Sequence, residues 1–232
     1  MISHAQWVSV RGNEPQPIEP RLSRLNNEAY DSSLAYLDDI LKNLFEELAR
    51  RGLDQNLLVI ITSDHGESLG DRGLYGHFSS LYLDQIQVPL IVRYPGKVPA
   101  GSVITAPVGI TSIPETVMDL AGLEPQRFPG SSLARYWSNA PPEDTEWLSE
   151  VASNKGFPGA TSKDPNAQGW VKSFENSDWH FILQETGKTE LYRWKTDPEE
   201  THNEVEDPAV HDLVARFRSR LEQIAASARH WK

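Results

Sequence analysis

Residues 57–62 read LLVIIT, and this run constrains the chain more than any other segment. Six apolar or β-branched residues without alternation describe a strand buried on both faces, as in the interior of a parallel sheet. An amphipathic helix is expected before it, over residues 28–50. There Leu34, Leu37, Leu41, Leu44 and Leu48 recur at spacings of three and four, while Asp38, Asp39, Lys42 and Glu46 fall largely off the stripe. Gly52 marks the helix stop. A second buried strand is expected over 88–94 (VPLIVRY), ended by Pro95-Gly96, and a third within 103–110. SIPETVMDLAGL, from Ser112, reads as a capped helix. Ser112 and Glu115 have capping-box spacing, Pro114 sits in the first turn, and Gly122 ends it. Helix, strand, loop, strand and helix in this order predict an α/β layered domain, with 56–62 an interior parallel strand.

The pattern changes further on. Residues 123–168 are rich in Pro, Gly, Asn and Ser, with one strand expected around 147–151. WVKSF, WHFILQE and TELYRW then read as short aromatic strands, and TGK between the last two is a hairpin signal. A final helix starts near Pro208, with Leu213, Phe217, Leu221 and Ile224 on one face. The expected organisation is an irregular lead-in over 1–27, an α/β core over 28–136, a loop region over 137–168, and a small antiparallel sheet with a C-terminal helix over 169–232.

Composition narrows the function classes. The chain has 232 residues, a net charge of -11 and no cluster of basic residues, so a general nucleic-acid or anionic-membrane binder is not expected. Abundant carboxylates do suit a hard cation. There are no cysteines, which excludes disulfides, thiolate metal sites and a Cys nucleophile. No run of about 18 apolar residues occurs, so no membrane span is expected. MISHAQWVSVRGNEP shows no signal-peptide pattern, and the localisation stays open.

The strongest chemical signal is Asp64-His65-Gly66-Glu67, directly after the buried run. Ligands of parallel α/β sheets bind beyond the carboxyl ends of strands. Carboxylate oxygen and imidazole nitrogen both ligate divalent metals, and Gly66 permits a sharp turn. Taken alone, the tetrapeptide also fits a turn-capping aspartate beside a surface histidine.

The surrounding stretch, IITSDHGESLGDRGLYGHFSSLYLDQIQVPLIVRYPG, closely resembles the sulfatase family of the alkaline-phosphatase superfamily. YDSSLAYLDDILKNLFEELARRGL upstream, ITSIPETVMDLAGLEPQRFPGSSL downstream and TELYRWKTDPEETHNEVEDP near the C-terminus are similar to further family segments, in the family's order. The resemblance implies an alkaline-phosphatase-like, partial three-layer and mostly parallel sheet. It also implies Asp64 and His65 as ligands of a divalent cation. That cation is calcium in sulfatases, and manganese or zinc in phosphoryl-transferring relatives. His77, in YGHFSSLY, matches the Lys or His that faces the anionic ester, where a protonated imidazole neutralises charge or protonates a leaving oxygen. The competing reading of His77 is a satisfied loop histidine. Glu67 is either a partner orienting His65 or a solvated carboxylate. Tyr82 and Asp84 read as packing and capping residues. Arg72 keeps a positive charge where relatives carry His or Lys, with a different shape. Asp197 and Asn203 match the C-terminal signature in turn-forming roles.

The family's earlier half, with an aspartate-rich strand end and a C-x-P-x-R or S-x-P-x-R nucleophile motif, has no counterpart here. Ser112-Ile113-Pro114 has S-x-P but lies after the DHG segment, at a helix start. The resemblance therefore implies a C-terminal portion of a metal-dependent hydrolase acting on a small-molecule or glycan sulfate ester, with poor turnover alone and a partner half carrying the nucleophile. A phosphodiester or phosphonate-ester hydrolase or a phosphoglycerol transferase is the alternative. A non-catalytic fragment or interaction module is the alternative from another class. Three geometric expectations follow. Asp64 and His65 lie just past the end of their strand, His77 enters the same cleft through loop 68–80, and an incomplete sheet leaves an apolar edge or face exposed.

Overall fold

The computed structural model describes residues 19–124, 128, 130–137, 146–157, 160, 162 and 164–228. Most of the expected lead-in, residues 1–18, lies outside them, as does 138–145 of the expected loop region.

Helix α1 spans Pro20–Arg50. It begins before residue 28, so 20–27 are helical and not irregular. Pro20 at the first turn fixes a helical φ, and Leu22 and Leu25 prolong the apolar stripe towards the N-terminus. The C-terminus closes as a Schellman motif: Gly52, at φ +68°, donates to Ala49 O, and Leu53 N donates to Leu48 O. No residue of α1 is buried. Leu34, Leu37, Ile40 and Leu44 all stand about half exposed. An uncovered apolar face thus lies on this helix, whereas the sequence reading expects one on the sheet.

Strand β1 (Val59–Thr62) pairs with β4 (Leu90–Arg93), Thr62 opposite Leu90 and Val59 opposite Arg93. The pairing is antiparallel, which corrects the expectation of a parallel interior strand. A parallel neighbour needs a crossover that carries the chain back to the start of the strand. Here the connection is a small hairpin, β2 (Ser68–Leu69) with β3 (Tyr75–Gly76), and a four-residue helix α2 (Leu83–Ile86). It returns the chain to the end where β1 stops. β1 and β4 are only partly buried, and Ile91 is 56% exposed. Among the described residues every strand pair is antiparallel. No strand forms within 103–110.

Helix α3 (Ile113–Ala121) follows a 3₁₀ turn at Ile110–Ser112 and ends at Gly122 in the left-handed region. The capping box is not made. The preceding turn holds Ser112 in the helical region, so its side chain cannot reach back over the helix end.

The C-terminal part matches its reading closely. β5 (Trp147–Val151), β6 (Val171–Glu175), β7 (His180–Gln184) and β8 (Thr189–Tyr192) form one antiparallel sheet in that order. Gly187, at φ +89°, turns the β7–β8 hairpin. Helix α4 (His211–Ala228) brings Phe217 and Leu221 against Phe174, Phe181, Leu183 and Leu191. Because side chains alternate along a strand, the neighbours of these residues point the other way. Val171, Ile182 and Tyr192 pack there against Leu81 and Tyr82, in the segment that leads into α2.

This second face also carries His180, Glu190 and Ser173, all buried. His180 Nδ1 bonds the Glu200 carboxylate, and its Nε2 lies 3.6 Å from Glu175 Oε1. Burial disfavours the imidazolium. The Glu200 bond and the charges of Glu200, Glu175 and Glu190 outweigh it, so the His180 pKa lies above its ordinary value of 6.5. A pKa raised on folding stabilises the fold below the unfolded value and loses that contribution as pH rises through the folded value. The thermal unfolding midpoint should therefore fall as pH is raised from 6.5. His180→Gln should unfold at lower temperature at pH 6 and lose most of this slope. Equal slopes in the two proteins would remove His180 as its cause.

Candidate active site

β1 stops at Thr62, and Ser63 to Glu67 leave the strand at its C-terminal end. Ser63 Oγ donates to His65 O at 2.7 Å, and Gly66 N donates to Gln85 O at 2.8 Å. The second bond seats the turn on α2. A Cβ at residue 66 would lie 2.1 Å from Asp84 O, so glycine alone fits this approach.

Both residues after the strand are outside it, and their side chains converge in part. Asp64 Oδ2 is 3.8 Å from His65 Nε2. His65 Nδ1 donates to Gly66 O at 2.8 Å, which leaves Nε2 with a free lone pair. Two ligands each about 2.0–2.4 Å from one ion can stand this far apart. The Asp64 side chain is 88% exposed, so the site is open on that side.

His77 follows β3 directly, at the open end of the β2–β3 hairpin. Its ring centroid lies 4.3 Å from that of His65. Glu67 is bonded to His77, not to His65: His77 Nδ1 donates to Glu67 Oε2 at 2.8 Å, and the Glu67 side chain is only 14% exposed. This differs from both readings of Glu67 made from the sequence. The ligand atoms of His65, Glu67 and His77 all lie within 4.8 Å of one another, while Asp64 stands outside that group. Two imidazoles and one carboxylate suit Mn²⁺ or Zn²⁺, whereas Ca²⁺ takes about 6–8 oxygens.

Phe78 is a residue that the sequence did not single out. Its ring lies 5.3 Å from that of His65 and 4.2 Å from that of His77, and it is 62% exposed. Its backbone sits at φ +69°, and its carbonyl accepts from Asn166 Nδ2 at 2.7 Å. Nothing in a Phe signals a left-handed backbone, so only adjacency to His77 could have marked it.

Tyr82 is a packing residue, as read, whereas Asp84 makes no capping bond to α2. Tyr82 is buried and donates to Glu190 Oε2 at 2.7 Å. Asp84, in the first turn of α2, accepts from Ser68 Oγ at 2.7 Å and pairs with Arg72 at 2.9 Å. Arg72 also donates to Glu199 O and covers the Tyr82 ring at 4.1 Å. These contacts place Arg72 in a structural tie. Asp197 and Asn203 shape the turn after β8: Asp197 accepts from the N–H groups of Thr201 and His202, and Asn203 from that of Leu191. Burial and the Glu190 carboxylate push the Tyr82 phenol upward, so it stays a donor.

Gly66→Ala should separate the turn from α2. The expected cost is about 1–3 kcal/mol in urea unfolding, the range for a side chain forced into a filled space. The contact between the His65 and His77 rings should weaken in the same variant, as read by nuclear Overhauser effects. A variant with wild-type stability and an intact ring contact would disprove the close approach.

A Sulfatase family model matches residues 5–123, and one described as N-sulphoglucosamine sulphohydrolase, C-terminal, matches residues 70–227. A sulfatase of Formosa agariphila is 25% identical over 201 residues, covering 86% of this chain and 35% of that protein. A solved structure of a protein in complex with its substrate D-glucosamine-2-N,6-O-disulfate has a TM-score of 0.70 at 22% identity, over 86% of this chain and 40% of that one. A phosphonate monoester hydrolase from Silicibacter pomeroyi gives 0.67 at 25% identity, over 82% and 38%. The chain thus spans between a third and two fifths of the length of these relatives. Its buried strand running into the Asp64-His65-Gly66 turn, its C-terminal sheet with α4, and family matches that together run from residue 5 to 227 agree: this chain belongs to the sulfatase family of the alkaline-phosphatase superfamily.

Proposed function

We propose that this chain is the C-terminal portion of a metal-dependent sulfuric ester hydrolase. In this reading Asp64 and His65 hold a divalent cation and His77 faces the ester. One observation carries it: the His77 and His65 rings lie 4.3 Å apart, brought together where the chain enters and leaves the β2–β3 hairpin. The cation, when bound, supplies a Lewis acid for the ester oxygens. The chain's own residues orient the two imidazoles. Gly66 O fixes the His65 ring through Nδ1, so that Nε2 is the ligating nitrogen. Glu67 fixes the His77 ring through Nδ1, and the protonated imidazole would donate its Nε2–H to an ester oxygen. The exposed Asp64 leaves room for ligands from elsewhere.

Calcium requires more oxygens than these residues offer. The nucleophile and the remaining ligands therefore come from polypeptide that this chain does not contain. The half-exposed leucines of α1 and the partly buried β1–β4 pair support that reading, because they leave an apolar face for such a half to cover. The substrate class is a sulfate ester on a small molecule or glycan.

A second reading keeps the same residues but changes the ester. The two imidazoles beside Glu67 favour Mn²⁺ or Zn²⁺, and with them a phosphonate or phosphate diester.

Two measurements test these readings. Titration of the chain with Ca²⁺ and with Mn²⁺ should show binding that Asp64→Ala abolishes and His77→Ala leaves within about threefold. In the complete enzyme, His77→Ala should instead lower kcat by roughly 10²–10⁴-fold, the usual range for a proton donor. Equal loss of metal binding in the two variants would make His77 a ligand. Assay on aryl sulfate and aryl phosphonate monoester then separates the readings: hydrolysis of the phosphonate alone would sink the sulfate one.

A further inference from the structure

Glu200 occupies an unfavourable backbone position for a long side chain. It sits at φ +52° and is 2% exposed. The turn that places it there is built by Asp197, which accepts from Thr201 N at 3.1 Å and His202 N at 2.8 Å, and by Asn203, which accepts from Leu191 N at 3.0 Å. A residue held against its local preference draws attention to what its side chain does.

The two carboxylate oxygens of Glu200 go to two different elements. One bonds His180 Nδ1 on β7. The other accepts the N–H of Leu83, at the start of α2, at 2.8 Å and across 117 positions of sequence. Two residues further on, Gln85 O holds the N–H of Gly66 at 2.8 Å. The neighbouring residue Glu199 adds a parallel tie, since its carbonyl accepts from Arg72, and Arg72 pairs with Asp84 of α2 at 2.9 Å. An unbroken sequence of hydrogen bonds and backbone therefore runs from the C-terminal sheet, through Glu200 and α2, to the turn that carries Asp64 and His65.

We infer that Glu200 is a positioning residue, which sets the Asp64–Gly66 turn against His77 by tying α2 to β7. The inference rests on the reading of that turn as the cation site. Its effect is transmitted through Leu83 and Gln85 and needs no contact with substrate.

One methylene distinguishes the decisive variants. In Glu200→Gln the amide oxygen still accepts from Leu83, and the NH₂ group donates to a neutral His180. In Glu200→Asn the side chain suits a positive φ better than glutamate but is too short to span β7 and α2 together. Amide hydrogen exchange of the whole chain, free of cation and substrate, reads the outcome at Gly66, and the NMR signals of His65 and His77 read the rings. Glu200→Asn should speed Gly66 exchange by about tenfold relative to the β7 amides and shift both ring signals. Glu200→Gln should stay within about threefold of wild type. Leu221→Ala, which truncates the core on the opposite face of the sheet, should leave the ratio of Gly66 to β7 exchange unchanged. Wild-type exchange at Gly66 in Glu200→Asn would overturn the inference. So would equal loosening in Glu200→Gln, or a selective loosening of Gly66 in Leu221→Ala. If Asp64→Ala leaves cation binding unchanged, the metal reading fails, while this measurement, made without a cation, keeps its meaning.

Discussion

A sheet covered on both faces can carry charge on one of them only if every charge is paired, because an unpaired buried ion costs several kcal/mol. The β5–β8 sheet meets that condition asymmetrically. Towards α4 it presents Phe174, Phe181, Leu183 and Leu191, a face that needs only shape. Towards α2 it presents His180 and Glu190 among apolar residues, and each side chain there bonds a partner, with His180 Nε2 left 3.6 Å from Glu175. His180 has Glu200, and Glu190 accepts from Tyr82 and Tyr192 at 2.7 and 2.8 Å. Tyr82 comes from the segment that leads into α2, and Glu200 accepts from Leu83 N of the same segment, so satisfying the sheet also fixes that segment.

The architecture is correspondingly uneven. From β5 onward the chain has a closed core, with Val171, Phe181 and Leu191 fully buried. Before β2 it has almost none: α1 buries no residue, and β1 with β4 forms a two-stranded pair of intermediate burial. A two-stranded ribbon beside a solvent-facing helix has little independent stability. The candidate active site lies at the border between these regions. Asp64 and His65 come from the end of the weakly packed strand, while α2 and the turn at 197–203 anchor them to the well-packed part. That placement explains why the histidines are ordered by their own local bonds, to Gly66 O and to Glu67, and not by burial.

The proposed reading, in which further polypeptide covers α1, accounts for the same unevenness from another direction. The chain corresponds to about 35% of its Formosa agariphila relative, and its exposed apolar stripe lies on α1, before the strand that leads to the site. Under the proposed reading the donor set is partial too. One exposed carboxylate and one imidazole nitrogen are a partial donor set for calcium, and a better one for a softer ion only when Glu67 and His77 are counted.

What the sequence determined was local. The leucine stripe specified α1, the alternating aromatic runs specified β6 to β8, and Gly187 specified their hairpin, because each signal acts over a few residues. The DHG turn was legible as a site only through the family resemblance, since the tetrapeptide alone fits a turn-capping aspartate beside a surface histidine, and the roles of its residues are those the resemblance implies. Strand direction was not legible. An apolar run reads the same whether its neighbour is parallel or antiparallel, and the β1–β4 pairing follows from the route of the connection between them. The start of α1 was misread because the proline-rich lead-in hid Pro20 as a first-turn residue. Only the tertiary structure decided that Glu67 serves His77, that Phe78 stands beside both imidazoles, and that Glu200 reaches Leu83. Those contacts join residues whose spacing in sequence carries no periodic signal, and a positive φ at Phe78 or Glu200 is imposed by the turn around it and not by the side chain itself.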